Sequence, residues 1–360
     1  MLLSAIWLFF LLYLGIADVH GRSYSTQWLI QALGVLVIVF YQTIKRLNKN
    51  RLNINSSLYP SLGWGNRFTI IRGIMIAALA GFLFQVWPVS YLAWIPGIIY
   101  LIASIIDRLD GYLARITCMQ SQLGTELDTV YDAVGLLIAP VLAVTYGQLH
   151  WSYLLVSIAY YLFVIGIKLR EFRGLRVIEL PPNISRRAIA GFQMGFVAVV
   201  LLPVFHPPIT QIAGMAFMIP LLFGFIIDWF IVRGTISSGT GLSVLLDKLR
   251  FLSFNYFLPA LRILVVCLTI HLYITTNGNE IKIASIVLAS ISLVLIITGI
   301  IGRIGAVVLS IVLGFYFQDQ MLSTNVIVLL FCIIWIMMLG TGYFSLYKRD
   351  EDWVNRYDGA

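Results

Sequence analysis

The sequence predicts an all-α protein that crosses a membrane many times. Three observations carry that reading. Of the 360 residues, 60% are apolar and only 11% are charged, which leaves too little polar surface to cover a soluble globule. The apolar residues are gathered in runs, several of them long enough to cross a hydrocarbon core of about 30 Å as helices, and the mean hydropathy is +0.93. The period-two alternation of a membrane β-barrel is absent.

The runs place helices near 2–18, 27–45, 68–86, 90–106, 133–147, 151–168, 188–205, 210–230, 257–275, 281–299, 303–317 and 323–346. The first, MLLSAIWLFFLLYLGIADVH, lacks a basic leader and a small-residue cleavage site, so it is expected as a retained helix and not a signal peptide. Cys118, Cys267 and Cys332 are scattered and show no metal-type spacing, and no disulfide framework is expected. His271 lies in an apolar run and reads as a core or interface residue.

A net charge of +8 is compatible with a nucleic-acid partner, but the placement of the cations argues for a different cause. Threading the chain through the expected helices puts Lys45, Arg46, Lys49, Arg51 and Arg67 on one side. Lys168, Arg170, Arg173, Arg176, Arg186 and Arg187 join them, as do Arg233, Lys248, Arg250, Lys348, Arg349 and Arg356. Only Arg22 and Lys282 fall opposite. That asymmetry predicts both termini at the cytoplasmic face, with anionic lipid headgroups as partners and no nucleic acid. A bacterial-type plasma membrane is the simplest home.

Composition divides the chain into four parts. Residues 1–59 hold two helices and a basic, polar segment that reads as interfacial. Residues 60–233 hold six helices, 234–256 a Gly/Ser/Thr linker and a short surface helix, and 257–360 four more helices of no assigned role. Arg262 and Arg303 sit near expected helix ends, where they are expected to snorkel.

One stretch breaks the apolar pattern. DRLDGYLARITCMQSQLGTELDTVYD, residues 107–132, carries four aspartates, a glutamate and two arginines. Asp107, Asp110, Ala114 and Arg115 are spaced to share one helical face, and after an eight-residue turn Gly124, Asp128 and Asp132 share another. Gly111, Ala114 and Gly124 permit close approach of a second backbone or a phosphate. Four carboxylates brought together would repel, and a hard divalent cation relieves that repulsion while sharing substrate phosphates. The alternative is a salt-bridge cluster with Arg108 and Arg115. Acids this close to a bilayer usually serve function.

The order Asp107-x2-Asp110-Gly111-x2-Ala114-Arg115-x8-Gly124-x3-Asp128-x3-Asp132 resembles the full signature of the CDP-alcohol phosphotransferase family, with all eight fixed positions present. The resemblance implies a six-helix core over residues 60–233, the signature running from its second helix into its third. It implies an enzyme that cleaves a CDP-linked alcohol and passes the phosphoryl-bearing part to an acceptor hydroxyl, releasing CMP. It further implies Asp107, Asp110, Asp128 and Asp132 as ligands of Mg²⁺ or Mn²⁺, as two ions, with Asp132 as general base. Gly111, Ala114, Arg115, Ser121 and Gly124 would bind CDP. Asn66, Thr69 and Arg72 match an upstream family element that has proline where this chain has Gly65; Asn66 and Thr69 either touch the nucleotide or cap a helix.

Within the family, LDTVYDAVG resembles the branch that uses CDP-diacylglycerol and small polar acceptors more than the branch that uses CDP-choline or CDP-ethanolamine with diacylglycerol. The cationic loop ahead of the fifth core helix makes Arg186 and Arg187 candidates for an acceptor phosphate, or simply topology-setting charges. A homodimer is expected. From another class, an ion-coupled transporter remains the alternative, although transport sites usually lie near the bilayer midplane on broken helices.

Overall fold

The computed structural model describes residues 1–181, 184–236, 241–275, 283–318 and 322–347. Lys282, Lys348, Arg349, Arg356 and residues 237–240 of the linker lie outside the described residues. The protein is all-helical among the described residues, and six helices are long and apolar enough to cross a membrane: Leu2–Lys45, Ser90–Ile116, Gln122–Thr145, Trp151–Phe172, Ile209–Val232 and Ser243–Thr275. It is a polytopic membrane protein. Leu162, Ile165 and Leu169 stand exposed along one stripe of a helix, as side chains facing lipid do.

The chain forms two compact units, Met1–Ser157 with Met194–Val204, and Ile158–Gln193 with Phe205–Ala360. In the first, helix α1 (Leu2–Lys45) bends at Gly21, whose φ of 82° suits a residue without a Cβ. Phe9 and Trp28 would be about 28 Å apart on a straight helix, yet their rings meet edge to face at 5.6 Å, so the two arms fold back on each other. These arms are the two expected N-terminal helices, the second beginning several residues earlier than its apolar run.

Helix α2 (Trp64–Ala80) packs on α1, α3 (Ile95–Ile116) and α4 (Gln122–Thr145). Proline at the start of α3 costs nothing, because the first-turn N–H groups have no intrahelical partner. Both α3 and α4 are longer than their apolar runs and continue through the charged stretch, leaving only residues 117–121 between them. The eight-residue turn is thus corrected to five, and all four aspartates lie inside helices. Ser121 starts α4 as its N-cap, its Oγ accepting from the Gly124 N–H at 3.1 Å.

Behind the aspartates, α1 is pinned to α4. The Tyr131 hydroxyl donates to the Val39 carbonyl (3.0 Å) and lies 2.8 Å from the Thr43 hydroxyl. Glu126 receives Arg46 at 3.0 Å and Lys49 at 2.5 Å. The segment between α1 and α2 is bonded to the α3–α4 turn: the Gln122 N–H donates to the Arg51 carbonyl (3.0 Å), and the Tyr59 hydroxyl to the Gln120 carbonyl (3.2 Å).

The second unit holds α7 (Ile209–Val232), α8 (Gly241–Leu252), α9 (Leu258–Thr275), α10 (Ile283–Thr298), α11 (Gly302–Phe317) and α12 (Thr324–Leu339), while α5 (Leu154–Phe172) and α6 (Ile184–Val200) each contribute part of their length to it. A π-helical turn, Ser253–Phe257, joins α8 to α9; the Phe254 carbonyl accepts from the Tyr343 N–H (3.0 Å). Helix α12 stops at Gly340 (φ 96°), short of the expected 346. Arg262 and Arg303 do not snorkel; both are buried. Arg262 spends its guanidinium on the carbonyls of Ile296, Ile297, Thr341 and Phe344, closing the end of α10, whose last carbonyls have no partner within their own helix.

Candidate active site

Close contact between α2 and α3 makes the site possible. A Cβ on Gly65 would lie 2.8 Å from both the Ala114 Cβ and the Asp110 carbonyl oxygen, so these two small residues set the distance between the helices. Neither obstacle is a side chain that can rotate away. Gly65→Ala is therefore expected to cost about 1–3 kcal/mol of stability through overpacking, read as a lower midpoint of thermal unfolding in detergent. Gly111→Ala should leave that midpoint nearly unchanged, since its Cβ would meet nothing nearer than an Arg115 guanidinium nitrogen at 3.4 Å.

Three of the four aspartates converge. Asp107 from α3 and Asp128 and Asp132 from α4 each present an oxygen within 4.8 Å of the others. Asp128 and Asp132 are one helical turn apart and so face the same way. Asp110 stands beside this group, buried, with Oδ2 accepting from the Thr69 hydroxyl at 2.8 Å. Arg72 enters the cluster from α2. Its guanidinium pairs with Asp107, with Asp128 Oδ1 at 2.7 Å and with Asp132 Oδ1 at 3.2 Å, and donates to the Asp128 carbonyl at 3.1 Å. Only 1% of the Arg72 side chain is exposed, against 43% and 44% for Asp128 and Asp132, so the cation is interior and its acids are open on one side.

A cleft of about 290 Å³ adjoins the cluster. Every residue expected to bind nucleotide lines it: Asn66, Thr69, Gly111, Ala114, Arg115, Ser121 and Gly124. So do Asp110 and Asp128, which join it to the carboxylates, and Gly65, Gln120 and Thr125, which sequence reasoning missed. Among the described residues no hydrogen bond or ion pair engages the Arg115 guanidinium, so its fork is free for an anion. The acids pair with Arg72, and no salt bridge from Arg108 or Arg115 is formed among the described residues.

Asn66 and Thr69 do not cap α2, whose N-cap is Gly63 without a side-chain bond. Asn66 Nδ2 donates to Asn50 Oδ1 (2.9 Å), and its Oδ1 accepts from the Ser121 hydroxyl (3.0 Å). Arg72 was matched to the upstream family element but given no role in the site. Its signal was present: an arginine in the apolar part of a helix, three residues after Thr69 on the same face, and an ionisable residue so placed demands a partner. Arg186 and Arg187 belong to the second unit, where Arg186 pairs with Asp228 at 2.7 Å and donates to the Pro181 carbonyl at 3.3 Å, and Arg187 is exposed.

Residues 64–229, from the first residue of α2 into α7, match the CDP-alcohol phosphatidyltransferase family. The match takes in the carboxylate cluster and the residues that line the cleft. A curated relative, the CDP-diacylglycerol–glycerol-3-phosphate 3-phosphatidyltransferase of Cereibacter sphaeroides, is 29% identical over 112 residues, covering 31% of this chain and 50% of that one. The chain therefore spans about half the length of the curated relative it matches. No solved structure matches. The residues present suit the divalent ions on which the matched family generally depends: the converging donors are carboxylate oxygens only, hard ligands with no sulfur or imidazole among them.

Proposed function

We propose that this protein transfers a phosphatidyl group from CDP-diacylglycerol to the hydroxyl of a small polar acceptor, with release of CMP, in phospholipid synthesis. The single observation that carries the reading is the joining of the carboxylate cluster to a cleft that holds an arginine whose guanidinium has no partner among the described residues. A carboxylate cluster beside a phosphate-sized cleft suits a nucleotide diphosphate. A transport site would more readily lie on broken helices at mid-bilayer.

In this reading Asp107, Asp110, Asp128 and Asp132 hold Mg²⁺ or Mn²⁺, as two ions. When bound, the ions neutralise the pyrophosphate oxygens and stabilise the charge that develops on them. Arg115 grips phosphate oxygens with its planar fork, and Gly111 leaves them room. Asn66, Thr69, Ser121 and Gly124 line the nucleotide. Asp132 takes the proton from the acceptor hydroxyl as that oxygen attacks the phosphorus bearing the diacylglycerol. The bond from that phosphorus to the CMP oxygen breaks, and CMP leaves.

The Cereibacter relative is named for a CDP-diacylglycerol donor and a glycerol phosphate acceptor, which supports the donor proposed here. An anionic acceptor would suit Arg186 and Arg187. We place the site at the cytoplasmic face of a bacterial-type plasma membrane, both termini on the same side, in a homodimer whose catalytic core is residues 60–233. The test is direct. Membranes containing the full chain, supplied with CDP-diacylglycerol, Mg²⁺ or Mn²⁺ and a panel of polyol phosphates, inositol phosphate and serine, should release CMP with at least one acceptor, and EDTA should stop it. CMP release only from CDP-choline or CDP-ethanolamine with diacylglycerol would move the protein to the other branch. No release from any donor would overturn the reading.

A further inference from the structure

The matched domain begins at Trp64, yet its cleft is held in shape from outside. Asn50, which lies 14 residues upstream of that boundary, is 7% exposed and sits at the head of a chain of hydrogen bonds into the cleft. Its Nδ2 donates to the Ser61 carbonyl (3.0 Å), and its Oδ1 accepts from Asn66 Nδ2 (2.9 Å). Asn66 Oδ1 accepts from the Ser121 hydroxyl (3.0 Å), whose own oxygen accepts from the Gly124 N–H (3.1 Å).

The direction of this chain is forced. Ser61 offers a carbonyl, which can only accept, and Gly124 offers an N–H, which can only donate. Between those two fixed ends each amide has one satisfying orientation. Asn50 must turn its NH₂ to Ser61 and its oxygen to Asn66. Asn66 must then turn its NH₂ to Asn50 and its oxygen to Ser121. The same oxygen lies where a Cβ on Gly124 would stand 2.6 Å from it, so the carboxamide is also confined by shape. Asn66 and Ser121 both line the cleft.

We propose that Asn50 is a positioning residue for the nucleotide donor: the segment upstream of the family domain sets the orientation of the Asn66 carboxamide, and through it the Ser121 hydroxyl. The inference rests on the reading of the cleft as the CDP site. Asn50 makes no contact with substrate. It decides which edge of Asn66 the nucleotide meets. The other bonds of the segment (Arg51 carbonyl to Gln122 N–H, Tyr59 hydroxyl to Gln120 carbonyl) fix the same turn from the same side.

The experiment uses the full-length protein in detergent, with CMP release followed against CDP-diacylglycerol concentration. Asn50→Asp and Asn50→Ala are expected to raise KM for the donor about tenfold, the loss of about 1.4 kcal/mol of binding, while kcat stays within about twofold. The aspartate turns an acceptor toward the Ser61 carbonyl, which repels it and pulls residue 50 out of register with Asn66; the alanine leaves Asn66 Nδ2 without its partner. The metal concentration giving half-maximal rate should not move. Tyr59→Phe, which removes one bond of the segment but leaves the chain of amides intact, should keep the wild-type KM and controls for loosening of the segment. A fall in kcat or in thermal stability with KM unchanged would show Asn50 to be structural only and overturn the inference. If the wild-type protein releases no CMP from any donor, it is the reading of the cleft that fails.

Discussion

Asp132→Asn is expected to lower the rate of CMP release by about 10²–10⁴-fold, the range a positioned general base contributes, while the protein stays folded. Asparagine has nearly the same shape, so the contact with Arg72, now at 3.2 Å, keeps a neutral acceptor in place. What is lost is the ability to take a proton. Asp132 faces the open side of the cluster, with 44% of its side chain exposed, which is where an acceptor alcohol can arrive. Single-turnover CMP release at saturating donor and acceptor isolates this step, and the loss should fall in kcat with little change in donor KM. Raising Mg²⁺ or Mn²⁺ should not restore the rate. Recovery at high metal would make Asp132 chiefly a ligand, and full activity in the variant would remove it from the mechanism.

Much of this arrangement was legible in the residues, for physical reasons that differ from place to place. The acid spacings could be read because side chains three and four apart on a helix share a face whatever surrounds it. Hydropathy located the spans but not their ends, since α3 and α4 run on through charged residues once a partner helix satisfies them. Gly21 makes a chain reversal that periodicity cannot show, because a helical pattern on either side looks continuous. Arg262 looked like a snorkelling residue at a helix end; the carbonyls it satisfies come from α10 and the segment after α12, which no local pattern brings together. Asn50 is polar in a polar segment, and only the three-dimensional route from Ser61 to Gly124 gives it meaning.

Arg72→Met should be the most damaging single change to stability. The guanidinium is interior and holds together three carboxylates from two other helices, so its removal leaves Asp107, Asp128 and Asp132 within 4.8 Å of one another with no cation between them. Breaking a buried ionic group in this way costs about 3–5 kcal/mol. Because the acids are 25–44% exposed, water recovers part of the cost and the lower end of that range applies. Thermal unfolding in detergent with EDTA should show the drop. Arg72→Lys should fall between, since one ammonium restores the charge but cannot span three carboxylates and the Asp128 carbonyl at once. Adding Mn²⁺ should then raise the unfolding midpoint of Arg72→Met by more than that of the wild type. The acids, freed of their resident cation, gain the ion as replacement, and an ion at about 100 times its Kd stabilises the folded state by about 2.7 kcal/mol. If Arg72→Met unfolds with the wild type in EDTA, the guanidinium is not what holds the cluster together. If Mn²⁺ shifts both proteins equally, the carboxylates and the arginine do not compete for the same charge.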